Sequence, residues 1–165
     1  MNRYSTDELD AIVLRFLQTC QNFDPILYSI FYNQYLTGCR FDDIHNLARW
    51  ELKNDNTLIL SPCKKNNLRV FNINEVDFLL YEQIRDGYDV YQSVSFSTAL
   101  LHFGRLFPNP NLMVKNKPVK THLFRHLKAR KLKQAGKSDH DIKEYLGERN
   151  MMSAHSYIYS VVYEL

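Results

Sequence analysis

Thr121-His122-Leu123-Phe124-Arg125-His126 opens a long basic stretch with helical spacing, and the rest of the chain falls into place around it. In a helix His122 and Arg125 are three positions apart and share one face, while Leu123 and Phe124 turn toward a core. An imidazole and a guanidinium then stand side by side, aimed at one target. A planar guanidinium matches the oxygens of a phosphate with two parallel bonds, so a phosphate group is the natural target. Some thirty residues on, a further helix carries Tyr157 and Tyr159, either of which offers a nucleophilic hydroxyl. Two positions apart, they cannot face the same way.

Upstream, Ser5-Thr6-Asp7-Glu8 has capping-box form and starts a helix carried by Leu9, Ile12, Val13, Phe16 and Leu17. Asp24-Pro25 starts a second, which Thr37-Gly38 ends with a left-handed cap. Arg40 follows at once, at the start of a short helix over 41–48, beside Asp43, which is expected to hold its guanidinium. Residues 50–73 change period. Thr57–Leu60 and Leu68–Ile73 read as strands of a hairpin with Lys64 and Lys65 at its tip. Helices are predicted over 74–86, 95–107, 121–135, 139–146 and 153–163, with 108–120 as a loop.

Lys115, Lys117, Lys120, Arg125, Lys128, Arg130, Lys131, Lys133 and Lys137 run without an acid before Asp139. They straddle the His/Arg pair, so the formal charge of +3 hides a positive side suited to a polyanion. With 45% apolar and 13% aromatic residues over 165 positions, the chain can bury a core and is not a disordered tail. Cys20, Cys39 and Cys63 are odd in number and match no metal spacing, which points to a reducing compartment. No signal peptide and no bilayer-length apolar run is read, so a cytoplasmic or nucleoid-associated setting is expected, with a mobile element as a possible source.

In this order and at these spacings the pieces resemble the catalytic domain of the tyrosine recombinases, the phage-integrase family. Tyr35-Leu36-Thr37-Gly38-Cys39-Arg40-Phe41-Asp42-Asp43-Ile44 is similar to the family's first box, and Leu47-Ala48-Arg49-Trp50 continues it. His122-Leu123-Phe124-Arg125-His126 matches its His-x-x-Arg box. The hairpin resembles the one that bears the family's catalytic lysine; counting back from Arg69 gives Lys64, with Lys65 a close rival. Leu146-Gly147 precedes Tyr157 by the family interval, which prefers Tyr157 over Tyr159. The resemblance implies an α+β, mainly α-helical domain with a small antiparallel β-hairpin or three-stranded sheet. It implies a single catalytic domain over 1–165, with the family's N-terminal core-binding domain absent.

The resemblance also implies a chemistry: DNA cleavage and rejoining through a 3′-phosphotyrosyl link, for integration or excision. Arg40, Lys64, His122, Arg125 and Tyr157 would carry it. Lys115, Lys117, Lys120, Lys128, Arg130 and Lys131 would hold double-stranded DNA. No metal or other cofactor and no membrane is implied, and self-association as a dimer or tetramer on DNA is. One position departs from the pattern. The residue after Leu146-Gly147 is usually His or Trp in the family, and here it is Glu148. An ionised carboxylate donates no hydrogen bond to a phosphate. Glu148 would pack against Arg125 or another base and orient it, or His155 or Arg149 would take over the donor role, or activity would be reduced. His126 is expected beside an acid such as Asp43. The alternatives to a recombinase are a DNA-binding module of the same fold with weak or lost cleavage, and a topoisomerase or hairpin-telomere resolvase using the same chemistry.

Overall fold

The computed structural model describes residues 2–54, 56–63 and 66–165. The described elements in chain order are β1 (Asn2–Arg3), α1 (Thr6–Phe23), α2 (Pro25–Thr37), α3 (Phe41–His45), β2 (Trp50–Asn54), β3 (Thr57–Leu60) and β4 (Arg69–Asn72), followed by α4 (Phe78–Asp86), α5 (Phe96–Leu106), β5 (Leu112–Val114), β6 (Lys117–Pro118), α6 (Leu123–Gln134), α7 (Asp139–Leu146), α8 (Met151–Tyr159) and β7 (Val162–Glu164). This is the expected mainly helical α+β architecture.

Local chemistry sets the helix ends. Ser5 and Glu8 close the capping box of α1 from both sides. The Asp24 carboxylate caps α2 by accepting from the amides of Ile26 and Leu27, and Pro25 occupies the first turn. Gly38 ends α2 at φ 71°, where an added Cβ would stand 3.0 Å from Leu146 Cδ2 and 3.2 Å from Lys128 Cβ, so both the turn and the close approach require glycine. The apolar faces of α1, α2, α5 and α6 meet in a cluster of Phe16, Phe31, Phe103 and Phe124, with ring centroids 4.9 Å apart for Phe16–Phe103 and 5.6 Å for Phe31–Phe124. A smaller core of Ala129, Ile142, Leu146, Ala154 and Ile158 seats α7 and α8 against α6. That second core places the tyrosine helix against the helix that carries the His/Arg box.

Two antiparallel sheets flank the helices. The order β2-β3-β4 gives the expected three-stranded sheet. In β4, Arg69 and Phe71 point inward while Val70 and Asn72 point out. A second sheet, β1-β7-β5-β6, is a departure from the sequence reading. Residues 108–120 are a short hairpin rather than a loop, and the last helix gives way to a strand at Val162. The hairpin turns through Lys115 (φ 51°) and Asn116 (φ 63°), a left-handed pair without the glycine that signals such a turn in sequence. The helix read over 41–48 also breaks early, α3 ending at His45 before a 3-10 turn over Leu47–Arg49.

Candidate active site

Four separate parts of the chain converge on one cleft of about 730 Å³, lined among others by Arg40, Lys115, His122, Glu148 and Tyr157. The turn after α2 supplies Arg40, the start of α6 supplies His122, the turn after α7 supplies Glu148, and α8 supplies Tyr157. Arg125 lies directly beneath. A second cavity of about 310 Å³ adjoins it, sharing Arg40 and His122 and lined also by Phe41, Phe96 and Arg125.

Arg125 ties the site to the frame. Its Nη1 donates to the carbonyl of Gly38 at 2.8 Å and its Nη2 to the carbonyl of Leu146 at 2.7 Å. Both acceptors lie at helix C-terminal ends, where carbonyls lack helical partners and partial negative charge collects. The same Nη2 donates to Glu148 Oε1 at 2.7 Å, and Arg40 Nη2 donates to that oxygen at 2.9 Å. One carboxylate oxygen thus bridges the two guanidiniums. The Arg125 side chain is 1% exposed and that of Glu148 7%, against 31% for Arg40.

Asp43 does not hold the Arg40 guanidinium as expected. Its Oδ2 accepts from the Arg40 backbone N–H at 3.0 Å and its Oδ1 from Arg49 Nη2 at 2.7 Å, so it fixes the turn and leaves the side chain to Glu148. Trp50 Nε1 donates to the Asp43 carbonyl at 2.6 Å. Sequence reasoning passed over Arg69, used only as a landmark for counting. It is buried, with Nη2 on the Thr37 carbonyl at 2.6 Å and Nη1 on Cys39 Sγ at 3.1 Å, and it braces the turn that presents Arg40. The available signal was an arginine at an inward position of an alternating strand.

Tyr157 lays its ring over Arg125, with Cζ 4.9 Å from the centroid, and packs on the His126 ring at 4.7 Å. Tyr159 faces elsewhere, its hydroxyl donating to Asp139 at 2.8 Å. His155 also turns away from the cleft, its Nε2 3.2 Å from Asp139 Oδ2, and so is not a substitute donor. His126 does not meet Asp43; it is buried beside Tyr157, with Nδ1 unpartnered among the described residues.

Charge shapes the groups. Burial works against the Arg40 cation, but the Tyr157 hydroxyl and Glu148 more than offset it, and its pKa is raised. Burial, then Arg69 and Arg40, lower that of Arg125 despite Glu148. Desolvation, then Arg40, Arg125 and Lys115, lower His122, so its imidazole is neutral at neutral pH. Burial and nearby cations push His126 down to about 4.

The basic run divides. Lys115, Lys117 and Lys120 line the cleft, and the Lys115 ammonium hydrogen-bonds Ser156 beside Tyr157. Lys131 instead bonds Asp10 at 3.1 Å and the Tyr35 hydroxyl at 2.8 Å, between α6, α1 and α2. Lys128 lies over the Tyr145 ring, and Arg130 borders a separate groove with Arg3 and Lys133. Lys64 and Lys65 lie outside the described residues.

No protein-family model and no curated protein sequence matches the chain. Its fold is nevertheless that of a tyrosine-recombinase catalytic domain. The similarity is to lambda integrase(75-356), in a crystal structure of its dimer bound to a COC′ core site, with a TM-score of 0.62 and 18% identity over 94% of this chain. The chain spans 58% of that integrase chain's length.

Proposed function

We infer that the protein is a DNA strand transferase of the tyrosine-recombinase type, cutting and rejoining DNA through a 3′-phosphotyrosyl intermediate. The observation that carries this is the meeting of Arg40, His122 and Tyr157, from three parts of the chain, around one cleft rimmed by lysines, with Arg125 directly beneath. The likeness to an integrase whose dimer was solved on a core site supports duplex DNA as the substrate and self-association on it.

The chemistry follows from these groups. Attack of the Tyr157 oxygen on phosphorus forms a phosphotyrosyl ester and breaks the bond to the 5′-oxygen. The five-coordinate transition state gathers charge on its equatorial oxygens, and preformed cationic donors stabilise that charge more than the ground state. Arg40 and Arg125 take this role. Neutral His122 accepts the phenolic proton or donates to a phosphate oxygen. The 5′-oxygen leaves as a hydroxyl, with a proton that the family resemblance assigns to Lys64, or its neighbour Lys65. The ester keeps the free energy of the broken bond, so the reverse attack by a 5′-hydroxyl reseals a strand without a nucleotide cofactor.

A second reading, a DNA-binding module with weak or lost cleavage, draws support from Glu148, a negative charge between the two arginines. A nicked duplex that traps the covalent intermediate separates the two. The strand transferase gives a protein–DNA adduct that Tyr157→Phe removes; the module gives salt-sensitive binding and no adduct.

A further inference from the structure

Glu148 stands where the charge of a phosphate would be gathered. Its Oε1 accepts from Nη2 of both Arg40 and Arg125. Both Nη2 hydrogens of Arg125 are therefore in use, one on Glu148 and one on the Leu146 carbonyl, while Nη1 is on the Gly38 carbonyl. Its Nε has no hydrogen-bond partner among the described residues, but the side chain is only 1% exposed, the Tyr157 ring covers its face, and its Nη2, the donor it shares with Arg40 through Glu148, has no hydrogen to spare. Arg40, at 31%, presents an open edge. A phosphate oxygen thus meets Arg40 directly but gains Nη2 of Arg125 only by displacing a present acceptor.

The two acceptors differ in how readily they yield. The Leu146 carbonyl belongs to a turn fixed by Gly147 at φ 74° and by the Asn67 amide, which donates to the Gly147 carbonyl at 2.8 Å. The Glu148 carboxylate hangs from rotatable side-chain bonds. It also carries the same sign as the phosphate, so the two repel when both crowd the guanidiniums. We propose that Glu148 is an internal counter-anion: seated between Arg40 and Arg125 while no DNA is bound, it cedes that seat to the scissile phosphate. The proposal rests on the reading that these arginines hold a phosphodiester. It also accounts for a carboxylate at a position where the family resemblance leads one to expect a hydrogen-bond donor.

A strut and a seat-filler have opposite signatures. If the carboxylate only braced the arginines, removing its charge would weaken anion binding; if it competes, removal strengthens it. The test titrates the full chain, as wild type, Glu148→Gln and Arg40→Ala, with inorganic phosphate and with a short fluorescent duplex of mixed sequence at one fixed salt concentration. Glu148→Gln is expected to bind both on the order of tenfold more tightly, and Arg40→Ala more weakly than wild type. A Glu148→Gln protein that retains its thermal transition and binds no tighter overturns the proposal while leaving the arginine reading intact. Arg40→Ala binding as wild type does would overturn the arginine reading and the proposal with it. Should Glu148→Gln not fold, the carboxyl carbon resonance of Glu148 in the wild-type protein serves instead. It is expected to move as phosphate is added and the two hydrogen bonds are lost. A resonance that stays fixed while that of the Arg40 guanidinium moves overturns the proposal.

Discussion

The ring of Tyr157 lies across the guanidinium of Arg125, 4.9 Å from centroid to Cζ, so the candidate nucleophile and the most buried cation of the site are already in contact. Removing only the hydroxyl keeps that contact. Tyr157→Phe should abolish the covalent adduct on a nicked duplex while shifting the thermal midpoint by no more than about 2 °C. Tyr157→Ala should also lose the cation–π contact, worth about 0.5–2 kcal/mol, and unfold earlier. An adduct gel and a thermal melt on both variants check this.

The two arginines should fail differently. Arg40 is partly open to solvent and its backbone is fixed by Asp43, so Arg40→Ala should fold and lose cleavage by roughly 10²–10³. Arg125→Ala strips donors from the carbonyls of Gly38 and Leu146 and leaves Glu148 buried beside a single partner. It should cost about 3–5 kcal/mol of stability as well as activity. Urea unfolding of the two variants side by side shows whether the loss follows burial.

His126 predicts an acid-sensitive fold. Its pKa falls from 6.5 to about 4 on folding, so above pH 6.5 both states are neutral and the residue adds no pH dependence. Below that, the unfolded chain takes up a proton that the folded one refuses. Stability should decline from pH 6.5 toward 4 by about 3 kcal/mol in all. His126→Phe should flatten that part of the urea-midpoint profile, whatever it does to the midpoint at neutral pH.

Lysines that line the cleft should count toward the salt dependence of DNA binding, and Lys131 should not. Changing Lys115, Lys117 or Lys120 to Ala is expected to reduce the slope of log affinity against log salt by about 1 each. Lys131→Ala breaks bonds to Asp10 and Tyr35, and so should lower stability while leaving the slope alone.

Gly147 sets the turn that presents Glu148. At φ 74°, an added Cβ would meet Arg69 Cγ and the Asn67 carbonyl oxygen at 3.0 Å each. Gly147→Ala should destabilise by about 1–2 kcal/mol and disturb the bridging carboxylate. Denaturant melts and phosphate titration on this variant report the two effects separately.

Much of this was legible because local rules and packing agree. The Ser5 and Asp24 caps, the glycine stops at 38, 87 and 147, and the inward Leu123 and Phe124 all follow from spacing. That Arg40, His122 and Tyr157 should come together above Arg125 was an expectation from family spacing rather than from periodicity. The packing of Glu148 on Arg125 was read from the departure at that position, but its second bond, to Arg40, was not, because Asp43 is near in sequence and Glu148 is 108 residues away. The β1-β7-β5-β6 sheet was missed because its strands are two or three residues long, too short for alternation to register. Lys131 was misplaced because a basic run on a helix divides among faces, and sequence shows only the run.

The strand β7 begins at Val162, leaving only Ser160 and Val161 after the helix that carries Tyr157. At roughly 3.3–3.6 Å per residue that is a short leash. Val162 is fully buried and lies across from Val114, while Tyr163 faces Met113 on one side and Arg3 on the other. The tyrosine hydroxyl can therefore travel only as far as this slack permits unless the strand peels from its neighbours. Its range of motion is governed by how firmly β7 holds to β5 and β1.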